Sequence, residues 1–454
     1  MSETITGPAR GPADDEAPTR VLATDAEALH AVRELLPRLA EGAAARDRDR
    51  ELPRAQVRAL ARAGLLAITV PRALGGADVR AATVAEVLRL IGTVDLSLAQ
   101  IPQPHFAFLN ALRLRGGPVA RERVFGDVLA GALVGNAQAE RSGRTAHTHA
   151  TRLEREGEEW CLEGTKYYAT GSLFADWIAV VAPAATHDGP RPHIALVPAA
   201  DPGVRVEDDW NGMGQRTTAS GTVHLSGVRV PGALVLDQYR TFETPTTFGA
   251  FAQLLHTAID VGAARGALDA AAEFVRTKSR PWFESGADTA ADDPLLVHRF
   301  GELEVQVRAA EALLATAAAR VDTADAVLAQ DAVPAQEADR ARGTDGSEDT
   351  GGARGAAGTP GGLAARDLAR AEEATAEASL AVAAAKVAGG RTAVEVSSAL
   401  FEVAGTRATA EGENLHRFWR DTRTHTVHDP VRWKIQHLGE YSLNRRRPPR
   451  HGQI

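Results

Sequence analysis

The chain has 454 residues, 44% of them hydrophobic and 24% charged, enough to bury a large core in more than one domain. Its net charge of −8 offers no field for nucleic acid. No run of about twenty apolar residues predicts a membrane span, and Cys161, the only cysteine, excludes intramolecular disulfides and cysteine-based zinc sites.

Residues 1–20 are acidic and proline-bearing, lack the apolar segment of a secretory signal, and are expected to form a disordered tail on a cytoplasmic protein. From about Ala26 to Leu129 apolar residues recur three and four apart, with Pro and Gly at the joints, which predicts an N-terminal helical domain over 21–130. The signal then changes to short β-type runs separated by turns, such as WIAVVAPA, HIALVPA and GTVHLSGVRVP, and predicts a small β-barrel or sandwich domain over 131–240. Beyond Phe248 the pattern is helical again, through FGAFAQLLHTAIDVGAARGALDAAAEFVRTKSRPW and two long alanine-rich segments. This predicts a C-terminal helical bundle over 241–454. Residues 331–362 are low in apolar side chains and rich in Gly, Ala, Asp and Pro, so they cannot offset their own ordering entropy and are expected to be a disordered insertion between two bundle helices.

The densest chemistry lies in Arg417 to Lys434, RFWRDTRTHTVHDPVRWK, where four arginines, two histidines and two aspartates interleave with three large aromatics. Pro430 cannot sit inside a helix and marks a boundary there. The Trp419-Arg420-Asp421-Thr422-Arg423 run resembles the end of the helix that delivers a catalytic residue to the flavin in the acyl-CoA dehydrogenase superfamily. LLAITVPRALGG and WNGMGQRTTASGTVHLSGVRVP are similar to that family's early turn and to the end of its β domain. The resemblance covers nearly the whole chain and implies a mainly α, acyl-CoA dehydrogenase-like fold with a central β domain and a C-terminal four-helix bundle. The dehydrogenases of that family carry a tyrosine-glutamate pair whose glutamate removes the substrate's α-proton. Here the sequence reads His428-Asp429-Pro430. That departure resembles the flavin monooxygenase branch, with its dibenzothiophene monooxygenases and sulfur-acquisition oxidoreductases.

By the same resemblance, Arg276 in FVRTKSRPW and the Gly405-Thr406-Arg407 run are expected at the flavin phosphate, for which a planar guanidinium fork is suited. Asn136 and the stretch Ala137, Gln138, Ala139 and Glu140 resemble the strand and loop along the flavin, and an asparagine both donates and accepts toward its pyrimidine edge. Lys166, Tyr167, Tyr168, Ala169 and Thr170 resemble the strand crossing the ring, with the Thr170 hydroxyl near the oxygen-reactive carbon. His428 is the expected proton carrier because histidine titrates near neutrality. His425, one helical turn earlier, is placed to orient it. His105, in IPQPHFAF, is similar to a histidine of the monooxygenases and is expected beside the substrate, while Trp210 either covers the ring or fills the core. The pairs His147/His149 and His425/His428 have one-face spacing but no obvious third ligand, so no metal is expected.

The expectation is therefore a flavin-dependent monooxygenase that takes reduced FMN from a separate flavin reductase, uses molecular oxygen, and acts on a small organosulfur or related apolar substrate. A homotetramer is implied. The alternatives are an FAD-dependent acyl-CoA dehydrogenase with Asp429 as base, and a non-catalytic flavin-binding protein.

Overall fold

The computed structural model describes residues 19–141, 145, 150–343 and 365–454, with the backbone alone for 331–343 and 365. The tail ahead of residue 19 and the His147/His149 pair lie outside the described residues.

Helix α1 (Asp25–Ala40) is capped by Thr24, whose hydroxyl accepts from the Glu27 amide at 3.2 Å, while the Glu27 carboxylate reaches back to accept from the Ala23 amide, one residue ahead of the cap, at 2.9 Å. Two short helices, α2 (Ala43–Asp49) and α3 (Arg54–Arg62), lead to α4 (Ala81–Val94), which is apolar on most of its surface. Then come α5 (Leu96–Gln100), capped by Asp95, and α6 (Pro102–Arg115) and α7 (Pro118–Leu129), each of which places its proline in the first turn, where the missing N–H costs no helical bond.

The β domain is two four-stranded sheets. One runs β1 (Val134–Ala137), β4 (Trp177–Thr186), β5 (Gly189–Pro198), β8 (Val235–Leu236), with β1 parallel to β4 and β4 and β5 forming a ten-residue hairpin ladder from Trp177↔Pro198 to Thr186↔Gly189. The other runs β2 (Arg152–Glu156), β3 (Glu159–Lys166), β7 (Thr222–Pro231), β6 (Val204–Glu207), and carries the half-buried Cys161 on β3. Val180, Ile194 and Leu196 of the first sheet share one hydrophobic cluster with Leu162, Val223 and Val228 of the second and with Leu109 and Phe125 of the covering helices.

Helix α8 (Phe248–Thr277) is the axis of the C-terminal domain, and nearly every residue from Phe248 to Leu268 is buried. Helix α4 lies almost on its backbone. A Cβ added to Gly262 would come within 2.3 Å of the Arg89 carbonyl oxygen, and one on Gly266 within 2.1 Å of that of Thr93, so only glycine permits the approach. Helices α9 (Pro294–Gly343) and α10 (Ala365–Ala404) complete the long members; α10 packs on α8, α9, α11 (His416–His425) and α12 (Arg432–Asn444). The segment expected to be an irregular insertion from residue 331 instead continues α9 through Gly343, where alanine, glutamate and arginine favour the helix. Residues 344–364, the remainder of that expectation, lie outside the described residues. Among the described residues no helix is long and apolar enough to cross a membrane.

Candidate active site

Helix α11 buries Phe418, Asp421, Thr422 and His425 and stops at His425, after which the chain turns through His428 and Pro430 into α12. Its start is fastened to the N-terminal domain: Asn414, just ahead of the helix, donates to Asp47 at 2.8 Å, and Arg420 pairs with the same carboxylate. Its Asp421 accepts from the Gln215 amide at 2.5 Å. The neighbouring Gly214 passes so close that a Cβ there would lie 2.1 Å from the Arg420 carbonyl oxygen. Burial, reinforced by the nearby Asp47, pushes the Asp421 carboxyl up to about 7.

From Gln215 a line of polar groups runs into the β domain. The Gln215 carbonyl accepts from Trp210 Nε1 at 2.8 Å and lies 3.1 Å from the Thr218 hydroxyl; Thr218 donates to Ser220 at 2.8 Å, and Ser220 donates to the Thr170 hydroxyl at 3.2 Å. The Thr170 carbonyl in turn accepts from the Asn136 amide at 3.0 Å. Thus Asn136, Thr170, Trp210 and α11 are joined at one junction between domains. Asn136 Oδ1, Gln215 Nε2 and Thr422 Oγ1 are buried there without a hydrogen-bond partner among the described residues. Trp210 lines an adjoining cleft of about 340 Å3 with Met213 and Arg420.

The other end of α11 enters a polar cluster in the bundle core. His425 and Asp260 are fully buried and 2.5 Å apart between Nδ1 and carboxylate. His256 Nδ1 is 3.0 Å from His425 Nε2, and the ring of His256 lies against that of His428, with centroids 4.1 Å apart and planes 32° apart. Lys386, from α10, stands 3.3 Å from the second oxygen of Asp260. Burial alone would raise the Asp260 carboxyl, but Lys386 and His425 outweigh it and hold it below the usual range. Burial and the surrounding imidazoles and lysines drive His256 well below an ordinary histidine. His428 keeps 40% of its side chain open. Burial of its inner face, opposed only in part by Asp429, favours its neutral ring. Asp429 itself is buried and bound 2.8 Å from Lys434 Nζ, which also donates to the Gln453 carbonyl. Its tendency to rise on burial is overcome by Lys386, His428 and Lys434, which hold it down at about 2.

Several expected site residues are differently employed. His105 is fully buried, with Nε2 2.8 Å from the Leu66 carbonyl and Nδ1 accepting from the Val134 amide at 3.0 Å. Both ring nitrogens serve the main chain, so His105, expected beside the substrate, here ties α6 to the Leu65–Ala67 turn and β1. Lys166 and Glu140 form an internal ion pair at 2.7 Å; Glu140 also accepts from the Thr151 hydroxyl at 2.6 Å, and Lys166 donates to the Gln138 carbonyl at 3.3 Å. Their side chains hold the loop rather than face a ligand. Ala137 and Ala169 point into the core, and Ala139 accepts from the Tyr167 amide, so only main chain is left to meet a cofactor at these places. Tyr168 is exposed, at a φ of 55°, with its ring edge-on to Trp210.

Arg276 is exposed near the end of α8 and pairs with Glu273. Arg407, beside Thr406 in the turn after α10, donates to the Lys278 carbonyl at the same end of the bundle. Twenty residues of helix separate Arg276 from His256, which is about 30 Å at 1.5 Å per residue. Within one chain, these arginines therefore stand too far from His428, which packs on His256, for all of them to meet a single flavin. His256, Asp260, Lys386 and Lys434 were missed in the sequence. Their signal was a histidine and an aspartate four apart in the otherwise apolar LLHTAIDVG, and a lone lysine in AVAAAKVAGG.

Family models cover the chain in the order of its domains: the acyl-CoA dehydrogenase N-terminal domain matches residues 24–132, the middle domain 138–228, and the C-terminal domain 254–359 and 349–433. The chain belongs to the acyl-CoA dehydrogenase family. Within the family it is 31% identical over 435 residues to a probable FMNH2-dependent monooxygenase, SfnC, of Pseudomonas putida, covering 93% of this chain and 96% of that protein. It is 30% identical over 400 residues to a dibenzothiophene monooxygenase of Mycolicibacterium goodii, covering 85% and 86%. Among solved structures, FMN-bound TdsC from Paenibacillus sp. A11-2 superposes with a TM-score of 0.78 at 29% identity, over 94% of this chain and all of that one. Methanesulfinate monooxygenase MsuC from Pseudomonas fluorescens gives the same score at 27% identity, over 94% of this chain and 99% of that one. These relatives place the chain in the monooxygenase branch of the family.

Proposed function

We infer that the protein is a reduced-FMN-dependent monooxygenase acting on a small organosulfur or related apolar substrate. The observation that carries this reading is the state of Asp429. A carboxylate buried against Lys434 and held at about 2 is a poor base for removing an α-proton, so the position that dehydrogenases of the family use for that step lacks a competent residue. The open side of the loop instead presents the His428 imidazole. The unpartnered Asn136 Oδ1, Gln215 Nε2 and Thr422 Oγ1 suit a ligand with hydrogen-bonding edges such as a flavin, because each costs about 1–3 kcal/mol if left unmatched.

FMN, bound in its reduced form, supplies the electrons that activate molecular oxygen. Asn136 would read its polar edge, the Thr170 hydroxyl, backed by Ser220, would donate a hydrogen bond at the ring, and Trp210 with Tyr168 would screen the junction from water. His428 would hold and move the proton at its imidazole nitrogen. The phosphate contacts Arg276, Thr406 and Arg407 would come from a second copy of the chain, which supports a homotetrameric assembly in which each site draws on two subunits. A separate reductase would deliver the reduced flavin.

The test is to identify by mass the flavin retained after incubation with both FMN and FAD, and then to supply chemically reduced FMN with oxygen and a panel of thiophenes, sulfones and sulfinates. Selective FMN retention and an oxygenated product are expected. Retention of FAD, with bleaching by acyl-CoA that Asp429→Asn abolishes, would overturn the reading in favour of a dehydrogenase.

A further inference from the structure

The bundle core holds more polar machinery than a histidine at the loop requires. Lys386 of α10, Asp260 and His256 of α8, His425 of α11, and Asp429 and Lys434 around the turn into α12 form a continuous set behind His428. Stability does not explain it. Buried ion pairs are often matched or bettered by apolar side chains of the same volume, so a fold selected for packing alone gains nothing from three imidazoles and two lysine-carboxylate pairs there.

Hydrogen-bond direction orders the set. A carboxylate only accepts, so Asp260 fixes a proton of His425 on Nδ1, and in the neutral form of that ring Nε2 accepts from Nδ1–H of His256. The far nitrogen of His256, Nε2, is left as a lone pair, and the flat of the ring supports His428 at 4.1 Å. We propose that His256 is a positioning residue for His428, its tautomer and ring plane set by the Lys386–Asp260–His425 chain behind it. The claim deepens the monooxygenase reading and rests on it for the reaction affected, but not for the geometry. Pinned in this way, His256 excludes water from the inner face of His428 and prevents that ring from turning away from the site. A second proton on His256 is disfavoured by Lys386 and Lys434, so His428 is the ring left to exchange one.

Two variants separate the parts of the claim. His256→Asn keeps a donor for His425 but removes the supporting ring; His256→Phe keeps a flat ring but cannot donate. The first readout is carbethoxylation of His428 against pH in flavin-free protein, quantified by peptide mass mapping, which is feasible because the ring is 40% open. The midpoint is expected to lie below the ordinary value of about 6.5 in the unaltered chain and in His256→Phe, and to rise toward it in His256→Asn. The second readout is oxygenation with reduced FMN, expected to fall by roughly tenfold or more in both variants, since misoriented imidazoles lose at least that much. An unshifted midpoint in His256→Asn, or oxygenation within about twofold of the unaltered chain in both variants, would overturn the proposal. If the unaltered chain oxygenates no sulfur compound, the proposed function fails while the titrations still decide the role of His256.

Discussion

Asp421 and His105 show how single side chains set the pH response of the molecule. For Asp421 the folded pKa of about 7 lies above the usual carboxylate value of 3.8, so the native state retains a proton that the unfolded chain has released. Stability contributed by that group is therefore present at low pH, declines as pH rises from near 4, and is gone once pH passes about 7. Asp421→Asn, which keeps an acceptor for the Gln215 amide, should raise the melting temperature at pH 8 and leave it nearly unchanged at pH 4; equal shifts at both would remove the buried charge as the cause. His105 has the opposite sign. Burial lowers it to about 4, so the unfolded chain takes up a proton that the native state refuses, and stability is lost as pH falls from about 6.5 toward 4. His105→Phe should flatten that acid slope while costing about 1–3 kcal/mol for each main-chain partner left unpaired, Leu66 O and Val134 N–H, read in denaturant melts. The sequence singled out His428, His425 and Thr170 because they fall in motifs. It could not foresee the surroundings of His105, because PQPHFAF reads equally as a pocket wall and as a core, and only the three-dimensional neighbours Leu66 and Val134 show both ring nitrogens bonded to main chain.

At the level of elements, the helical and β-type regions were legible because burial on one face imposes periods of 3.6 and 2 on the sequence. What could not be read was the separation of residues along α8. Arg276 and His428 were both expected at the flavin when only motif order was considered, yet twenty residues of unbroken α8 lie as a rigid spacer between Arg276 and His256, the residue against which His428 packs. The close crossing of α4 and α8 was equally hidden, since Gly262 and Gly266 are unremarkable until Arg89 and Thr93 are laid over them. Gly262→Ala should force the two helices apart and destabilise the fold by roughly 1–3 kcal/mol, the usual cost of overpacking. An alanine variant that melts at the unaltered temperature would show that the crossing is loose. Because the same stretch of α8 carries Asp260 and His256, loss of protection from hydrogen exchange is expected to extend from this crossing to both residues.

For the whole molecule, the proposed division of the flavin site between subunits makes a prediction that no single-chain site can meet. Arg276→Ala should bind FMN weakly, and His428→Ala should bind it but fail to transfer oxygen. Dissociating the two variants and reassembling them together should restore part of the activity, because some sites then receive an intact Arg276 from one copy and an intact His428 from the other. No recovery on mixing would place both residues on the same chain's flavin. The lone Cys161 bears on how such assemblies can be observed. One half-buried thiol on β3 means one attachment point per chain, on the β domain rather than in the bundle. A maleimide dye placed there would act as a ruler, reporting subunit exchange through energy transfer between copies, with no engineered cysteine and no competing thiol to blank out.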